Sequence, residues 1–283
     1  SVYVDEKGKS YKTAGKIDYV SGWYFKAAQL MQGTDIRTAF VSTNSITQGE
    51  QVAGVWKPLY DRFGIHIDFA HRTFRWDSEA SIKAHVHCVI VGFSSAPNQA
   101  PKRIYTMERY QEAENINPYL LDAPNAFVDS RNKPICDVPL MTTGNRPADG
   151  GHLIIEADEY DEFIAKEPNA LAWMRAVCGR LKSDYRYSKD VVYNNFPWPT
   201  PTDAQQDKIE QTAQAILDAR ALYPDCSLAD LYDEVAMPPE LRKAHQQNDR
   251  AVMQAYGFDV ATTTETSCVA ELMRMYQQLT ELI

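Results

Sequence analysis

Three stretches of this sequence hold residue types that could do chemistry. The first is FAHRTFRW, residues 69–76, where Arg72 and Arg75 alternate with Phe74 and Trp76 at the mouth between two strand-like runs. The second is RLKSDYRYSKD, residues 180–190, where Arg180, Lys182, Arg186 and Lys189 are interleaved with Tyr185 and Tyr187. Cations separated by rings suit a nucleic-acid backbone, the cations taking phosphates. The plainer alternative is a solvated charged face. The third is STNSITQGE, residues 42–50, a polar loop that follows a strand-like run. It puts Asn44 and Ser45 at the carboxyl end of a strand, where open α/β sheets bind ligands. Thr47 with Glu50 also spells a helix capping box. His85-Val86-His87 sets two imidazoles on one strand face. With no acidic or cysteine partner at ligand spacing, a hydrogen-bonded core histidine is expected there and no metal site.

The elements that must position these residues follow from periodicity. Residues 20–32 carry apolar side chains at helical spacing, and Gly33 offers a stop. Residues 36–42 predict a buried strand, 50–63 a helix interrupted or re-started at Pro58, and 64–71 and 85–93 two strands. About a dozen residues join those two strands, which suits an antiparallel pair with a long loop. From 94 to about 150 the chain is rich in Pro, Asn and Asp and predicts loops and a linker. Residues 153–170 predict a short strand and an acidic helix. After 200 the pattern is helical. Thr202 with Gln205 predicts a capping box opening a helix to about Leu222. Ser227 caps a second helix, Pro238-Pro239 opens a third that stops at Gly257, and residues from Ser267 on form a fourth.

With 283 residues and 44% hydrophobic content there is material for a sizeable core in one large domain or two ordinary ones. No apolar run approaches the roughly 18 residues of a membrane helix, and the first residues have no signal-peptide core. Cys88, Cys136, Cys178, Cys226 and Cys268 are scattered and odd in number, as reduced cytoplasmic thiols would be. A net charge of −9 and a pI near 5.2 argue against non-specific DNA binding by the whole surface. They leave room for a local basic cleft.

Several blocks together carry a family resemblance. AGKIDYVSGWYFKAAQLM, AFVSTNSITQGEQV, FAHRTFRW and VHCVIVGF resemble the second half of an MmeI-like DNA methyltransferase domain. KPICDVPLMTTGNRPADGG resembles the junction leading into that family's target-recognition domain. VVYNNFPWPTP, SLADLYDEVAMPPELRKAH and NDRAVMQAYGF resemble its C-terminal helical segment. These blocks occur in family order. The resemblance implies an α/β fold: the C-terminal half of a class I S-adenosylmethionine-dependent methyltransferase sheet, plus a mostly helical C-terminal region. It implies a methyltransferase half over residues 1–95 and a linker with the start of the target-recognition domain over 96–170. Residues 171–200 would be a remnant of that domain, and 201–283 the helical segment.

The resemblance also implies an activity, adenine-N6 methylation of double-stranded DNA in a restriction–modification system, with S-adenosylmethionine as cofactor. The target base is flipped out of the duplex, and Phe74 and Trp76 occupy the segment of the family's aromatic wall. Arg72 and Arg75 would hold phosphates beside it, Arg180, Lys182, Arg186 and Lys189 would contact DNA, and Asn44 and Ser45 would support the pocket. Two features depart from the family. The glycine-rich adenosylmethionine turn and the Asn-Pro-Pro-Phe catalytic turn do not occur in this sequence, so no catalytic residue is assigned. Glu167-Pro168-Asn169-Ala170 also runs directly into LAWMRAVCGRL, where most of a target-recognition domain is expected. The rival expectation is a non-catalytic DNA-binding or specificity remnant that needs a partner chain to supply the cofactor site; a third is an inactive product of a decayed gene.

Overall fold

The computed structural model describes residues 3–77, 85–107, 109–141, 160–166, 180–181, 184–185, 188–233 and 236–281. They fall into two units, one running to Pro197 and taking in the residues from Ala270 onward, the other Trp198–Val269.

In the first unit, helix α1 (Ser21–Met31) buries Tyr24, Phe25, Ala28 and Met31 along one stripe. It ends before Gly33, whose φ of 71° is left-handed, the conformation in which glycine commonly closes a helix. Helix α2 (Gly49–Phe63) buries Val52, Val55, Trp56, Leu59 and Phe63 at helical spacing. It runs through Pro58 without interruption, and Gly64 closes it with φ 58° and a bond from its N–H to the Tyr60 carbonyl. A side chain at Gly54 would meet Ile17 Cγ2 at 3.0 Å, so this glycine lets the 13–17 segment lie against α2.

Five strands form one sheet: β1 (Arg37–Thr43), β2 (His66–Asp77), β3 (His85–Ser94), β4 (Lys102–Tyr105) and β5 (Tyr110–Ala113), in the order β1-β3-β2-β4-β5. β3 is antiparallel to both neighbours, β4 is parallel to β2, and β5 is antiparallel to β4. β1 and β2 therefore run the same way on either side of a reversed strand. The antiparallel pairing of β2 with β3 follows the expected alternation. Two expectations change. β4 and β5 lie inside the stretch read as loops, and β1 is an edge strand with Val41 half exposed rather than a buried one.

One sheet face packs on α1 and α2. Tyr24, Trp56 and Phe93 meet there, with Tyr24 stacked on Phe93 at 5.3 Å and edge-on to Trp56 at 5.4 Å. Both are favoured geometries for aromatic pairs. Full burial of each such ring contributes about 1.5–3 kcal/mol. The other face carries Val41, Phe69, Trp76, Val86 and Tyr110, all exposed.

Residues 115–127 form an ordered loop around Asn117, whose side-chain oxygen accepts the N–H groups of Tyr119 and Leu121. Asn194 and Asn195 hold the 129–139 segment by donating to the carbonyls of Arg131 and Asp129. The acidic helix expected after residue 157 is α3 (Tyr160–Lys166); its preceding strand lies outside the described residues. Arg180–Leu181 (β6) and Asp184–Tyr185 (β7) pair as a short hairpin.

The second unit is built on α4 (Asp203–Ala221), α5 (Leu228–Leu231) and α6 (Pro239–Ala255), followed by the start of α7 (Glu265–Glu281). Both predicted caps are present as capping boxes, Thr202 with Gln205 and Ser227 with Asp230. α6 opens at Pro239 and ends before Gly257. α4 and α6 run antiparallel, with Gln205 donating to the Gln254 carbonyl and Thr212 to Asn248 Oδ1. Among the described residues no helix is long and apolar enough to cross a membrane.

Candidate functional site

The site begins at the carboxyl ends of β1 and β2. Thr43 of β1 pairs with Cys88 of β3, and Cys88 pairs with Phe74 of β2. These residues form one row across three strands. Two inter-strand steps put the end of β1 about 10 Å from Phe74. The sheet thus brings the Asn44–Ser45 turn and the Phe74–Trp76 pair to one end.

A register shift in β2 decides which way the rings point. His71 pairs with Ile90 and Phe74 with Cys88, so two residues of β2, Arg72 and Thr73, oppose one of β3. This bulge at Arg72-Thr73 brings His71, Phe74 and Trp76 to one face, the face away from α1 and α2. His71 and Phe74 meet edge-on at 4.9 Å, and Phe74 and Trp76 lie tilted at 6.2 Å. His71 Nδ1 lies 2.8 Å from the Arg72 carbonyl oxygen, which fixes its ring. Phe74 is half-buried, whereas Trp76 is 52% exposed. Arg72 projects from the bulge. Arg75, paired across the ladder with His87, alternates to the opposite face from the two rings. Arg75 therefore does not share the rings' face.

The Asn44 turn is held by groups far away in sequence. Asn44–Thr47 is a single 3₁₀ turn. The indole of Trp56 donates to the Ile46 carbonyl at 2.8 Å, and Ser45 Oγ donates to Asp18 Oδ2 at 2.6 Å. Thr47 Oγ1 donates back to the Asn44 carbonyl. This corrects the expected capping box: the Thr47 hydroxyl is used inside the turn, and Gln48 is the N-cap of α2, with no side-chain bond. Asn44 itself is 6% exposed, yet its carboxamide has no hydrogen-bond partner among the described residues. One step back from this turn, Tyr24 hydrogen-bonds Ser42, and burial pushes its phenol up to about 12.

Rings on an open face and an unpaired carboxamide at the same sheet end suit a flat ligand with hydrogen-bonding edges. Sequence reasoning found both groups but not the supports, Trp56 and Asp18, because nothing local marks a contact across the fold.

The basic stretch is described only in part. Lys182 and Arg186 lie outside the described residues, and the side chain of Arg180, at the start of β6, is likewise not described. Lys189 sits in the Ser188–Val192 turn, 3.3 Å from Asp190 Oδ1. Cys88, Cys136, Cys226 and Cys268 are free, and Cys178 lies outside the described residues. No group of three or more metal-ligating side chains occurs among the described residues.

A cavity of about 300 Å³ opens elsewhere, lined by Arg37, Asp68, Phe69, Asn98, Arg103 and Tyr105 among others. Arg37 begins β1. At the usual rise per strand residue it lies roughly 20 Å from Thr43. The Asp68 carboxylate there accepts from Ser94 Oγ and Asn98 Nδ2, both at 2.7 Å.

Three family models match this chain. The DNA-methyltransferase domain of MmeI matches residues 3–106, its target recognition domain matches 122–172 and 169–200, and its C-terminal domain matches 201–283. "DNA methyltransferase A" of Bacillus subtilis (strain 168) is 29% identical over 395 residues, covering 95% of this chain and 45% of that protein. The solved structure of the Type IIL restriction-modification enzyme MmeI in complex with DNA superposes with a TM-score of 0.77 at 34% identity. That match covers 95% of this chain and 53% of the other. The chain therefore spans about half the length of the proteins it matches. The 395-residue alignment is longer than this chain, so the Bacillus protein holds an internal stretch with no counterpart here.

Proposed function

We propose, for a chain that belongs to the MmeI family of DNA methyltransferases, a part in adenine-N6 methylation of double-stranded DNA within a restriction–modification system, with S-adenosylmethionine as methyl donor. The observation that carries this reading is the placement of Phe74 and Trp76 on an open sheet face, at the same end as the unpaired carboxamide of Asn44. The amino group of adenine is paired inside the duplex, so the base must leave the stack, at a cost of a few kcal/mol. An aromatic face returns roughly 1–3 kcal/mol per base. The Asn44 carboxamide offers one donor side and one acceptor oxygen to the edge of such a base. Arg72 and Arg75, at the same strand end, take phosphates. Arg180, Lys182, Arg186 and Lys189 extend the contact along the target-recognition part.

The cofactor does not fit the residues in hand. Neither a glycine-rich strand-to-helix turn nor an Asn-Pro-Pro-Phe turn occurs in these 283 residues. The reading therefore requires residues N-terminal to this sequence, or a partner chain, to hold the methyl donor and aim the amino nitrogen. The chain's own contribution is to stack, hold and exclude water around the base. The expected setting is the cytoplasm.

A second reading is a non-catalytic DNA-binding or specificity remnant that requires a partner chain for the cofactor site. Titrating S-adenosylmethionine into the purified protein by calorimetry separates the two. Saturable heat, together with transfer of labelled methyl groups to DNA, supports the enzyme. DNA binding without cofactor heat, even after the upstream segment is supplied, leaves the remnant.

A further inference from the structure

The second unit is strongly and unevenly charged. Residues 198–269 hold twelve Asp and Glu against five Lys and Arg, a net charge of −7. Three of the five cations, Arg242, Lys243 and Arg250, lie on α6. Leu241, Ala244 and Ala251 are the buried residues of α6, and Asn248 meets Thr212 of α4. Helical periodicity makes Lys243, Gln246, Gln247, Arg250 and Gln254 the opposite, outward stripe, and all five are exposed. This stripe contains no carboxylate. Glu240, one turn before Lys243, is turned aside to accept a hydrogen bond from Tyr223. Neither Lys243 nor Arg250 makes an ion pair among the described residues. The outward stripe of α4 is the reverse, with Asp203, Asp207, Glu210 and Asp218 all exposed.

We infer that the outward face of α6 is a second DNA-backbone surface, with Lys243 and Arg250 on phosphates and the glutamine amides between them on phosphate or sugar oxygens. This rests on the DNA reading above. Seven residues of helix separate the two cations, about 10.5 Å. Both side chains are long and end in a cation, which lets the pair reach phosphates of a single strand. Amides and cations together are the usual donors to a DNA backbone. The stripe holds no aromatic or aliphatic anchor of the kind a protein interface is built on, and no apolar residue to enter a membrane. The net negative charge of the unit turns its other faces away from DNA, so orientation as well as contact is encoded.

The test measures affinity for a mixed-sequence duplex as a function of salt, using the whole chain and a K243Q/R250Q double variant. Glutamine is a good helix former and both positions are exposed, so helix content by circular dichroism stays unchanged. The slope of log affinity against log salt becomes shallower by about 1.8, two contacts at roughly 0.9 each. A matched D207N/E210Q variant on α4 leaves the slope as it was. An unchanged slope in K243Q/R250Q overturns the inference while the DNA reading stands. An equal and opposite effect from the α4 variant also overturns it, because net charge alone would then account for both. No binding of duplex by the parent chain at low salt removes the DNA reading and this inference with it.

Discussion

Replacing Trp76 with alanine tests the base-stacking site most directly. Trp76 presents about half of its surface to solvent, supported on one side by Phe74 at 6.2 Å. Its removal takes away little core. The loss falls on the ligand: roughly 1–3 kcal/mol of stacking, or about 5- to 150-fold in affinity at about 1.4 kcal/mol per decade. Phe74 differs. It is half-buried, pinned edge-on by His71 and opposite Cys88 on the neighbouring strand. Phe74→Ala therefore divides its cost, with about 1 kcal/mol or less in cross-strand pairing and a smaller direct effect on binding. The assay compares two duplexes by fluorescence anisotropy, one with an adenine opposite an abasic site and one fully paired. Trp76→Ala weakens the first and leaves the second nearly unchanged, and Trp76→Phe restores most of the difference. Equal losses on both duplexes would assign Trp76 to general backbone contact. No loss on either, with Phe74→Ala equally silent, refutes the stacking site.

Trp56→Phe leaves the buried Ile46 carbonyl without its donor. It costs about 1–3 kcal/mol in chemical denaturation; with the Asn44 turn loosened, affinity for the extrahelical adenine falls as well. Thr202→Ala removes a formed capping box and lowers stability by about 1 kcal/mol, read as a shift of the denaturation midpoint. A methyl group at Gly92 would sit 2.1 Å from Phe69 Cε1. Gly92→Ala therefore drives that ring off the sheet at a cost of about 1–3 kcal/mol, measured by thermal unfolding. Stability also depends on alkaline pH. Tyr3 and Tyr24 are pushed by burial to about 12 from an ordinary 10.0. Between those values the unfolded chain has released protons that the folded one keeps, so stability falls as pH rises. The fall is up to about 1.4 kcal/mol per pH unit for each phenol. The expected outcome in urea titrations is a decline in stability from about pH 10 to 12 that Tyr24→Phe reduces.

The elements that proved legible are those whose signals are local. α1 follows from apolar spacing and a closing glycine, α2 from its helical pattern, and α4 and α5 from caps that recur in the structure with both bonds made. β4 and β5 escaped notice because each has four residues in a Pro- and Asn-rich setting, and β4 exists by pairing with β2, more than thirty residues earlier. β1 read as buried because its composition is apolar. Its exposure is a matter of sheet position, since among the described residues only β3 flanks it. The Thr47 capping box had the right letters, but the 3₁₀ turn claimed the hydroxyl first. For the site, residue types were legible and their faces were not. Simple alternation would have put Arg72 with Phe74 and Trp76; the bulge put His71 there instead.

β2 carries a second bulge as well, between Ile67 and Phe69, so the strand holds two extra residues against β3. Their effects cancel in parity: Ile67 and Arg75, eight apart, share the helix-side face, as plain alternation would place them. Only the short window between the bulges is out of phase. Over evolutionary time such a strand accepts length changes in pairs. Losing one bulge alone would invert everything beyond it, trading Phe74 and Trp76 for Arg75 on the open face, whereas losing both would shorten the strand and leave its distal end correctly faced. Gene lineages descending from this hairpin should therefore differ by zero or two residues between Ile67 and Phe74, with single-residue variants purged, an expectation that sequencing of relatives can check without any biochemistry.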